Sequence, residues 1–341
     1  MAGYEGLFNT LGLRDWCDAG ATGGPASMAD LLAKASGGAA ADKGFSLPSL
    51  DGLHAACGAV PRTRDMTAGL ENMFLSVKDP IKSVLGPITQ PLSWGLQGAL
   101  DLVAAVPGWV LILALLVLVQ FATRRTGMTV FTGVVFVILA FVDHLEPALQ
   151  TLSIILVCTC ICVLLGVPIG ILMSRSDRLQ RIMIPILDML QTLPTFVYLI
   201  PLIFLFSVTE PKLYGIAIIL YAIVPAIRLT NLGIRLVDFD VKEAADAFGM
   251  TAWQKLIRVE FPLALPNIMA GINQTIMMSL SMVVIASLVS APGLGTLVLR
   301  GINKLELGVG LVAGFAIVLL AIVLDRVSKA ALERINKTHT T

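Results

Sequence analysis

The sequence has few charged residues and almost no net charge. Asp, Glu, Lys and Arg make up 14% of its 341 residues, the formal net charge is +1, and 56% of the residues are hydrophobic. Because soluble domains are roughly one quarter charged, this composition excludes an ordinary soluble globule and indicates a membrane protein. The absence of basic stretches interleaved with aromatics also excludes nucleic acid as a partner.

Residues that carry catalysis are scarce as well. The three histidines, His54, His144 and His339, have no metal-ligand or triad partner at a useful spacing. No Gly-x-x-x-x-Gly-Lys-Ser/Thr phosphate loop occurs, which argues against nucleotide binding of that kind. We therefore expect a chain that is not an enzyme, with no catalytic residues, no metal site and no cofactor of its own. Cys158, Cys160 and Cys162 are expected to be packing residues, because the helical turn points Cys160 away from the other two.

The N-terminal residues 1–79 are polar and rich in Gly, Ala and Ser. This composition predicts a partly disordered tail. The first ten residues, MAGYEGLFNT, lack the basic and apolar regions of a signal peptide, so the tail is expected to stay on the protein. Cys17 and Cys57 could pair if the tail lies in an oxidising compartment, and the sequence leaves that pairing open.

Apolar residues in segment 80–104 recur at nearly helical spacing. The pattern favours an amphipathic helix lying in the membrane surface and interrupted by Pro87 and Pro91. A plain linker is the alternative.

Seven apolar runs follow, and together they predict an all-α membrane protein with a transmembrane domain at 105–330. The runs lie at about 105–122, 127–142, 148–173, 182–207, 213–236, 263–290 and 309–324. Thirteen basic residues follow the odd-numbered runs, whereas only three lie in the other connections. By the positive-inside rule, the C-terminal tail 331–341 is expected in the cytoplasm and the N-terminal tail outside.

The connection between the fifth and sixth runs, residues 238–266, predicts two short cytoplasmic helices. Asp240 with Glu243 suggests a capping box for the first helix, and Gly249 is expected to end it with a positive φ. One face of this helix carries Val241, Ala244, Ala245 and Phe248.

The second helix of this connection has its own signals. Thr251 with Gln254 suggests another capping box, and Pro262 is expected to stop the helix. One side carries Trp253, Leu256, Ile257 and Glu260. Two short helices at a fixed bend form a knob suited to a groove on another protein, although the connection could also simply cover the inner face of the bundle.

The segment Glu243-Ala244-Ala245, with Gly249 and Pro262 at their spacings, resembles the EAA loop of the membrane subunits of ABC importers. Val259 and Phe261 stand where that pattern has Ile and Leu. The resemblance implies that a coupling loop, residues 238–262, docks on a separate ATPase subunit, which binds ATP and Mg²⁺. The residues it assigns to that contact are Glu243, Ala244, Ala245, Phe248, Gly249, Trp253, Leu256 and Pro262.

Four longer stretches resemble the ProW-type permease subunits of glycine betaine/proline betaine importers. They are Leu187–Phe206, Ala222–Ile234, Asn267–Val289 and Pro292–Gly308. The resemblance implies about seven helices of the type I ABC importer (MetI-like) fold in the bacterial inner membrane. It also implies an extracytoplasmic substrate-binding protein, a permease homodimer and a quaternary-ammonium substrate.

Choline, carnitine and dimethylsulfoniopropionate stay open as substrates, because similar permeases serve them. An ion-coupled secondary carrier, which is a different class of transporter, is the alternative function. Such a carrier would require an inverted repeat and ion ligands within the membrane, and the sequence shows no convincing repeat.

Polar residues inside the runs are candidates for a path or gate. Asp188 and Arg228 are expected to face the bundle interior and could pair with each other, since an unpaired charge at that depth is costly. The other candidates are Gln191, Tyr198, Asn273, Gln274, Ser279 and Ser281. For each of them, structural hydrogen bonding between helices is the alternative.

On the outer side, Arg300, Lys304 and Glu306 are candidates for docking the binding protein. A solvated loop is the alternative there.

Overall fold

The computed structural model of the protein describes residues 11–12 and 63–339. The chain divides into two compact units, residues 1–79 and 80–341. Most of the predicted tail, including Cys17 and Cys57, lies outside the described residues, as do residues 340–341.

All regular structure in the described ranges is helical, so the all-α prediction is confirmed. The helices are α1 (Thr63–Ala105), α2 (Gly108–Thr123), α3 (Thr126–Phe141), α4 (Leu145–Arg175), α5 (Asp177–Thr192), α6 (Leu199–Leu205), α7 (Pro211–Arg235), α8 (Phe239–Ala247), α9 (Ala252–Lys255), α10 (Phe261–Ala286), α11 (Leu294–Asn303) and α12 (Leu307–His339). Short 3₁₀ turns cover Thr195–Tyr198 and Ser287–Val289, and a π-helical turn, Leu256–Glu260, joins α9 to α10.

Within residues 63–339, four helices are long and apolar enough to cross a membrane: α4, α7, the continuous stretch Ala252–Val289 and Leu307–Ala331. The number rises to six if each of two bent helix pairs is one span. The second predicted run corresponds to α3, which has only 16 residues. Each of the seven predicted runs therefore coincides with helical structure. Some of the runs, however, are not straight helices that span the membrane.

The fourth predicted run, 182–207, is not one helix. α5 and the segment Thr195–Leu205 meet at an angle of 105°. Leu193 has extended backbone (φ −66°, ψ 135°) because it precedes Pro194, and a residue in that position is sterically pushed out of the helical region.

α1 is longer and more continuous than predicted. It begins at Thr63, inside the predicted tail, and runs through Pro80, Pro87 and Pro91. Beyond the prolines, Leu96 is fully buried and packs with Leu92 over Gly215 of α7. Tertiary packing of this kind outweighs local helix preference, so the prolines do not divide the helix as predicted.

The core of the membrane bundle is α7, which packs between α4 and α10. In the most apolar 18-residue segment of α7, 67% is buried inside the structure, against 22% in the corresponding segment of α12. Two glycines allow the close approach: a Cβ on Gly170 would lie 2.7 Å from the carbonyl oxygen of Ile227, and one on Gly271 3.0 Å from that of Pro225. Small residues at helix crossings are the usual means of tight packing in membranes.

Candidate coupling loop and transport path

The two-helix loop, residues 238–260, consists of α8, α9 and the π-helical turn. Asp238 caps α8, because its Oδ1 accepts the backbone N–H of Asp240 at 3.2 Å. The predicted capping box of Asp240 with Glu243 is therefore wrong, since the helix begins at Phe239, before both of them.

The bend between α8 and α9 follows the sequence signals. Gly249 has a φ of 72° directly after α8, as predicted. The predicted capping box of Thr251 with Gln254 is confirmed: the Gln254 N–H donates to Thr251 Oγ1 at 3.3 Å and the Thr251 N–H to Gln254 Oε1 at 2.9 Å. Both helix ends at the bend are thus satisfied locally.

The loop buries one alanine and one leucine and exposes its aromatic residues. Ala245 and Leu256 are buried, whereas Phe248 and Trp253 are 85% and 68% exposed. The predicted face of α8 is therefore divided, with Ala245 inward and Phe248 outward. Glu243, Ala244 and Gly249 are exposed as well. The result is a protruding apolar surface on an anchored base.

An ion pair with one buried partner anchors the loop to the bundle. Glu260 in the π-helical turn has a side chain only 4% exposed, and its Oε2 lies 2.5 Å from Nη2 of Arg175 at the end of α4. Pro262 does not stop the helix as predicted: it is the second residue of α10, and the helical backbone continues through it from the π-helical turn. The loop therefore continues directly into a membrane helix.

Apolar packing reinforces this anchor. Leu256 forms a buried cluster with residues at the end of α7 and the start of α10, namely Ile234, Val237, Ala264 and Ile268.

Three further contacts tie the loop and its neighbours together. Lys242 Nζ donates to the carbonyl oxygen of Ile234 at 3.2 Å, at the C-terminus of α7. Arg235 Nη2 lies 2.7 Å from Asp177 Oδ1. Lys255 Nζ lies 2.6 Å from Asp246 Oδ1 and joins α9 to α8.

Sequence reasoning assigned these bases only to membrane orientation. It placed Glu260 on one side of the second helix but did not predict its pairing with Arg175, and the available signal was an acidic residue two positions before Pro262 at the start of a predicted span.

Within the membrane helices, Asp188 of α5 and Arg228 of α7 form an ion pair, with Arg228 Nη2 donating to Asp188 Oδ1. The predicted pairing is confirmed. The prediction that both face the bundle interior is wrong for the single chain, because the Asp188 and Arg228 side chains are 53% and 37% exposed. α5 turns Leu187 inward, and the next residue of a helix points about 100° away.

The other path candidates do not form one site. Gln191 Nε2 donates to Met278 Sδ of α10 at 3.7 Å, and Tyr198 donates to the carbonyl oxygen of Leu190. Gln274 is exposed. Ser281 is exposed too and donates to the Met277 carbonyl oxygen within α10.

Two of the candidates bond to helices other than α5 and α7. Asn273 bonds to Asp325 and Ser328 of α12, at 3.4 Å and 2.5 Å. Ser279 is buried and accepts the hydroxyl of Thr159 on α4 at 3.3 Å. Among the path candidates, only Asp188 and Arg228 bond directly to each other. Gln191 lies one turn after Asp188 on α5.

The far end of the bundle, residues 290–308 around α11, carries the three docking candidates. Arg300 Nε donates to Glu306 Oε2 at 2.9 Å, so these two charges pair with each other, and Lys304 is exposed. Sequence reasoning missed an exposed apolar group beside them: Ile302, Leu305 and Leu307 are 65%, 89% and 73% exposed.

Comparison with known proteins yields a family match. The family described as binding-protein-dependent transport system inner membrane component matches residues 163–337. This range includes the two-helix loop, the Asp188–Arg228 pair and the far end.

Three curated relatives extend the match toward the N-terminus. A glycine betaine transport system permease protein, OpuAB of Bacillus subtilis (strain 168), is 47% identical over 60% of this chain and 72% of its own length. A glycine betaine/proline betaine permease, ProW of Escherichia coli (strain K12), is 40% identical over 73% of this chain and 70% of its own. A glycine betaine/carnitine permease, GbuB of Listeria monocytogenes (serotype 1/2a, strain 10403S), is 42% identical over 73% and 87%.

Proposed function

Because this chain belongs to the binding-protein-dependent transport system inner membrane components, a family of the type I importer fold, we propose that it passes quaternary-ammonium solutes such as glycine betaine across the membrane. It is a membrane-spanning transport subunit rather than an enzyme. The proposed substrate class is supported by the names of the three relatives, each of which includes glycine betaine.

The observation that carries the mechanism is the form of the two-helix loop. Phe248 and Trp253 are exposed on a base that Glu260 and Arg175 hold to the membrane helices. Exposed aromatics on a rigid support suit an interface hot spot. In the proposed complex this surface docks on a separate ATPase subunit, which binds ATP and Mg²⁺, and Glu243, Ala244 and Gly249 lie in the same contact.

The proposed orientation puts the two-helix loop and the C-terminus in the cytoplasm and the N-terminus outside. It is supported by thirteen basic residues in the connections on one side against three on the other. In this orientation the far end faces the substrate-binding protein, with Arg300, Lys304 and Glu306 as the proposed docking residues.

The proposed assembly is a homodimer whose two copies enclose the path. The support is the exposed Asp188–Arg228 pair, because a charge at the centre of a bilayer costs about 3 kcal/mol or more. A face that carries two ions is better placed against a second copy or a water-filled path than against lipid. Gln191, Tyr198, Asn273, Gln274 and Ser279 are the further proposed path residues.

Reconstitution tests the proposed function. The chain is placed in vesicles with its ATPase and binding protein, and uptake of labelled glycine betaine, proline betaine, carnitine and choline is measured with and without ATP. We expect ATP-dependent uptake that is lost when Gly249 is substituted by valine. Uptake by this chain alone, without ATP, would contradict the proposal and favour a secondary carrier.

A further inference from the structure

The charge pair, Asp188 and Arg228, has an unusual position for two ions. Arg228 lies seven residues before the end of α7, about 10 Å along the helix. Its partner is on a different helix, and both side chains remain partly exposed. The pair therefore lies within the membrane helices and is accessible from outside the single chain.

Neither ion uses its full bonding capacity on the other. A guanidinium has five N–H donors and a carboxylate about four acceptor sites. Within the part of the chain that the structure describes, Arg228 Nη2 donates to Asp188 Oδ1, while the buried Nε of Arg228 has no hydrogen-bond partner. Since the Arg228 side chain is 37% exposed, its Nη groups, and not the buried Nε, are the donors that a solute oxygen reaches.

The neighbouring side chains add polarity without adding charge. Gln191 lies one turn beyond Asp188 on α5, and its amide reaches the thioether of Met278 on α10. Thioethers are soft and adaptable, which suits brief contact with methyl groups. The charge pair with these two residues joins three helices, α5, α7 and α10.

We propose that the charge pair is a relay site for small zwitterions. The carboxylate of a passing solute pairs with the Arg228 guanidinium, while the quaternary ammonium of the same solute pairs with the Asp188 carboxylate. The proposal rests on the proposed function and names a contact point within the path. No covalent bond changes. One ion pair is exchanged for two and then re-forms, so neither protein charge is left unpaired in the membrane at any step.

Selectivity follows from the same exchange. A solute with only a cation, such as choline, would pair with Asp188 and leave Arg228 without an anion. An uncompensated charge within the membrane helices is expensive, so the relay favours zwitterions over simple cations. The chemistry recognised is a carboxylate and an ammonium joined by a short spacer.

The test compares three paired variants in the reconstituted complex with its ATPase and binding protein. The neutral pair is Asp188→Asn with Arg228→Gln, and the conservative pair is Asp188→Glu with Arg228→Lys. The control pair is Arg125→Gln with Glu333→Gln, which removes another exposed Arg–carboxylate contact, at 2.8 Å between α3's N-cap and α12. Glycine betaine uptake, ATP hydrolysis without substrate and the mass of the assembled complex are measured for each.

We expect the neutral pair to lower glycine betaine uptake about tenfold, the effect of losing one charge-assisted contact. Its assembly should not change, because removing both ions leaves no unpaired charge. The conservative pair should stay within about threefold of the native uptake, and the control pair should match it.

Equal uptake by the neutral and conservative pairs would overturn the relay and leave the charge pair a structural contact. Dissociation or poor assembly of the neutral pair would also overturn it and assign the two residues to folding or to contact between copies. If the native complex shows no ATP-driven uptake of any methylated zwitterion, the proposed function fails and the relay with it.

Discussion

The two ends of α10 are held in different ways. At its N-terminus, Glu260 is buried and paired at 2.5 Å with Arg175, and Leu256 packs into an apolar cluster. Beyond its C-terminus, the visible charge contact is the exposed Arg300–Glu306 pair. A buried pair resists displacement more than an exposed one does. The comparison indicates that the charge contact at the proposed ATPase side is the firmer of the two.

Both ends also expose large apolar side chains, but on different supports. Phe248 and Trp253 flank a bend whose helix ends are capped on both sides. Leu305 lies in a turn with a φ of 56°, just after α11. Aromatics on a rigid support are the better candidates for a strong binding contact.

The largest effect is expected when both aromatics of the two-helix loop are removed. Phe248→Ala with Trp253→Ala should weaken ATPase-subunit binding by roughly 2 kcal/mol per aromatic, which is about thirtyfold for each and about a thousandfold for the two together. Co-purification and a binding titration measure this. Folding should be unaffected because both side chains are exposed. The matched control is Leu305→Ala at the far end, and an equal loss of ATPase binding in that variant would remove the distinction between the two ends.

The next largest effect is expected at the anchor. Glu260→Ala leaves Arg175 without its carboxylate and should lower the free energy of unfolding by about 2 kcal/mol, less than for a fully buried pair because Arg175 is partly exposed. Thermal unfolding of the detergent-solubilised chain measures it. Replacing both residues by Met should recover much of the loss, and a single variant as stable as the native chain would show that the pair is not an anchor.

A smaller effect is expected at the bend. Gly249→Ala must place an L side chain at a φ of 72°, which costs about 1 kcal/mol. Gly314→Ala in α12 is the control, since a Cβ there meets nothing within 4 Å. The same thermal measurement should show Gly314→Ala neutral or slightly stabilised. Destabilisation of both variants to the same extent would argue against strain at Gly249.

The smallest effect is expected at the far end. Arg300→Gln should lower stability by only about 0.5 kcal/mol, because exposed ion pairs contribute little. A double-mutant cycle with Glu306→Gln measures the pair, at low and high salt. A coupling energy of several kcal/mol that salt does not screen would mean that this end is as firmly held as the other.

The helices themselves were largely predictable, because lipid imposes long apolar runs and caps are local signals. Gly249 and the box of Thr251 with Gln254 were read correctly for that reason. The break at Pro194 was readable too, since the residue before proline avoids helical backbone, but the apolar run continues across it and concealed the break.

The candidate site was only partly predictable. The pairing of Asp188 with Arg228 follows from the high cost of single charges in a membrane. Which face of α5 is buried depends on how α5 packs against α4 and α7, and no local rule states that. The same holds for Glu260, whose partner Arg175 is 85 positions earlier in the chain.

By itself, the sequence determined a membrane protein, the approximate position of most of its membrane helices, the bend after α8 and the resemblance to importer permeases. These features depend on composition and on neighbours within a few residues. Only the tertiary structure decided that Glu260 anchors the two-helix loop, that Phe248 and Trp253 point outward, and that the charge pair is exposed. Those outcomes depend on which helices meet and on the angles between them, and such long-range packing is not encoded in any short segment.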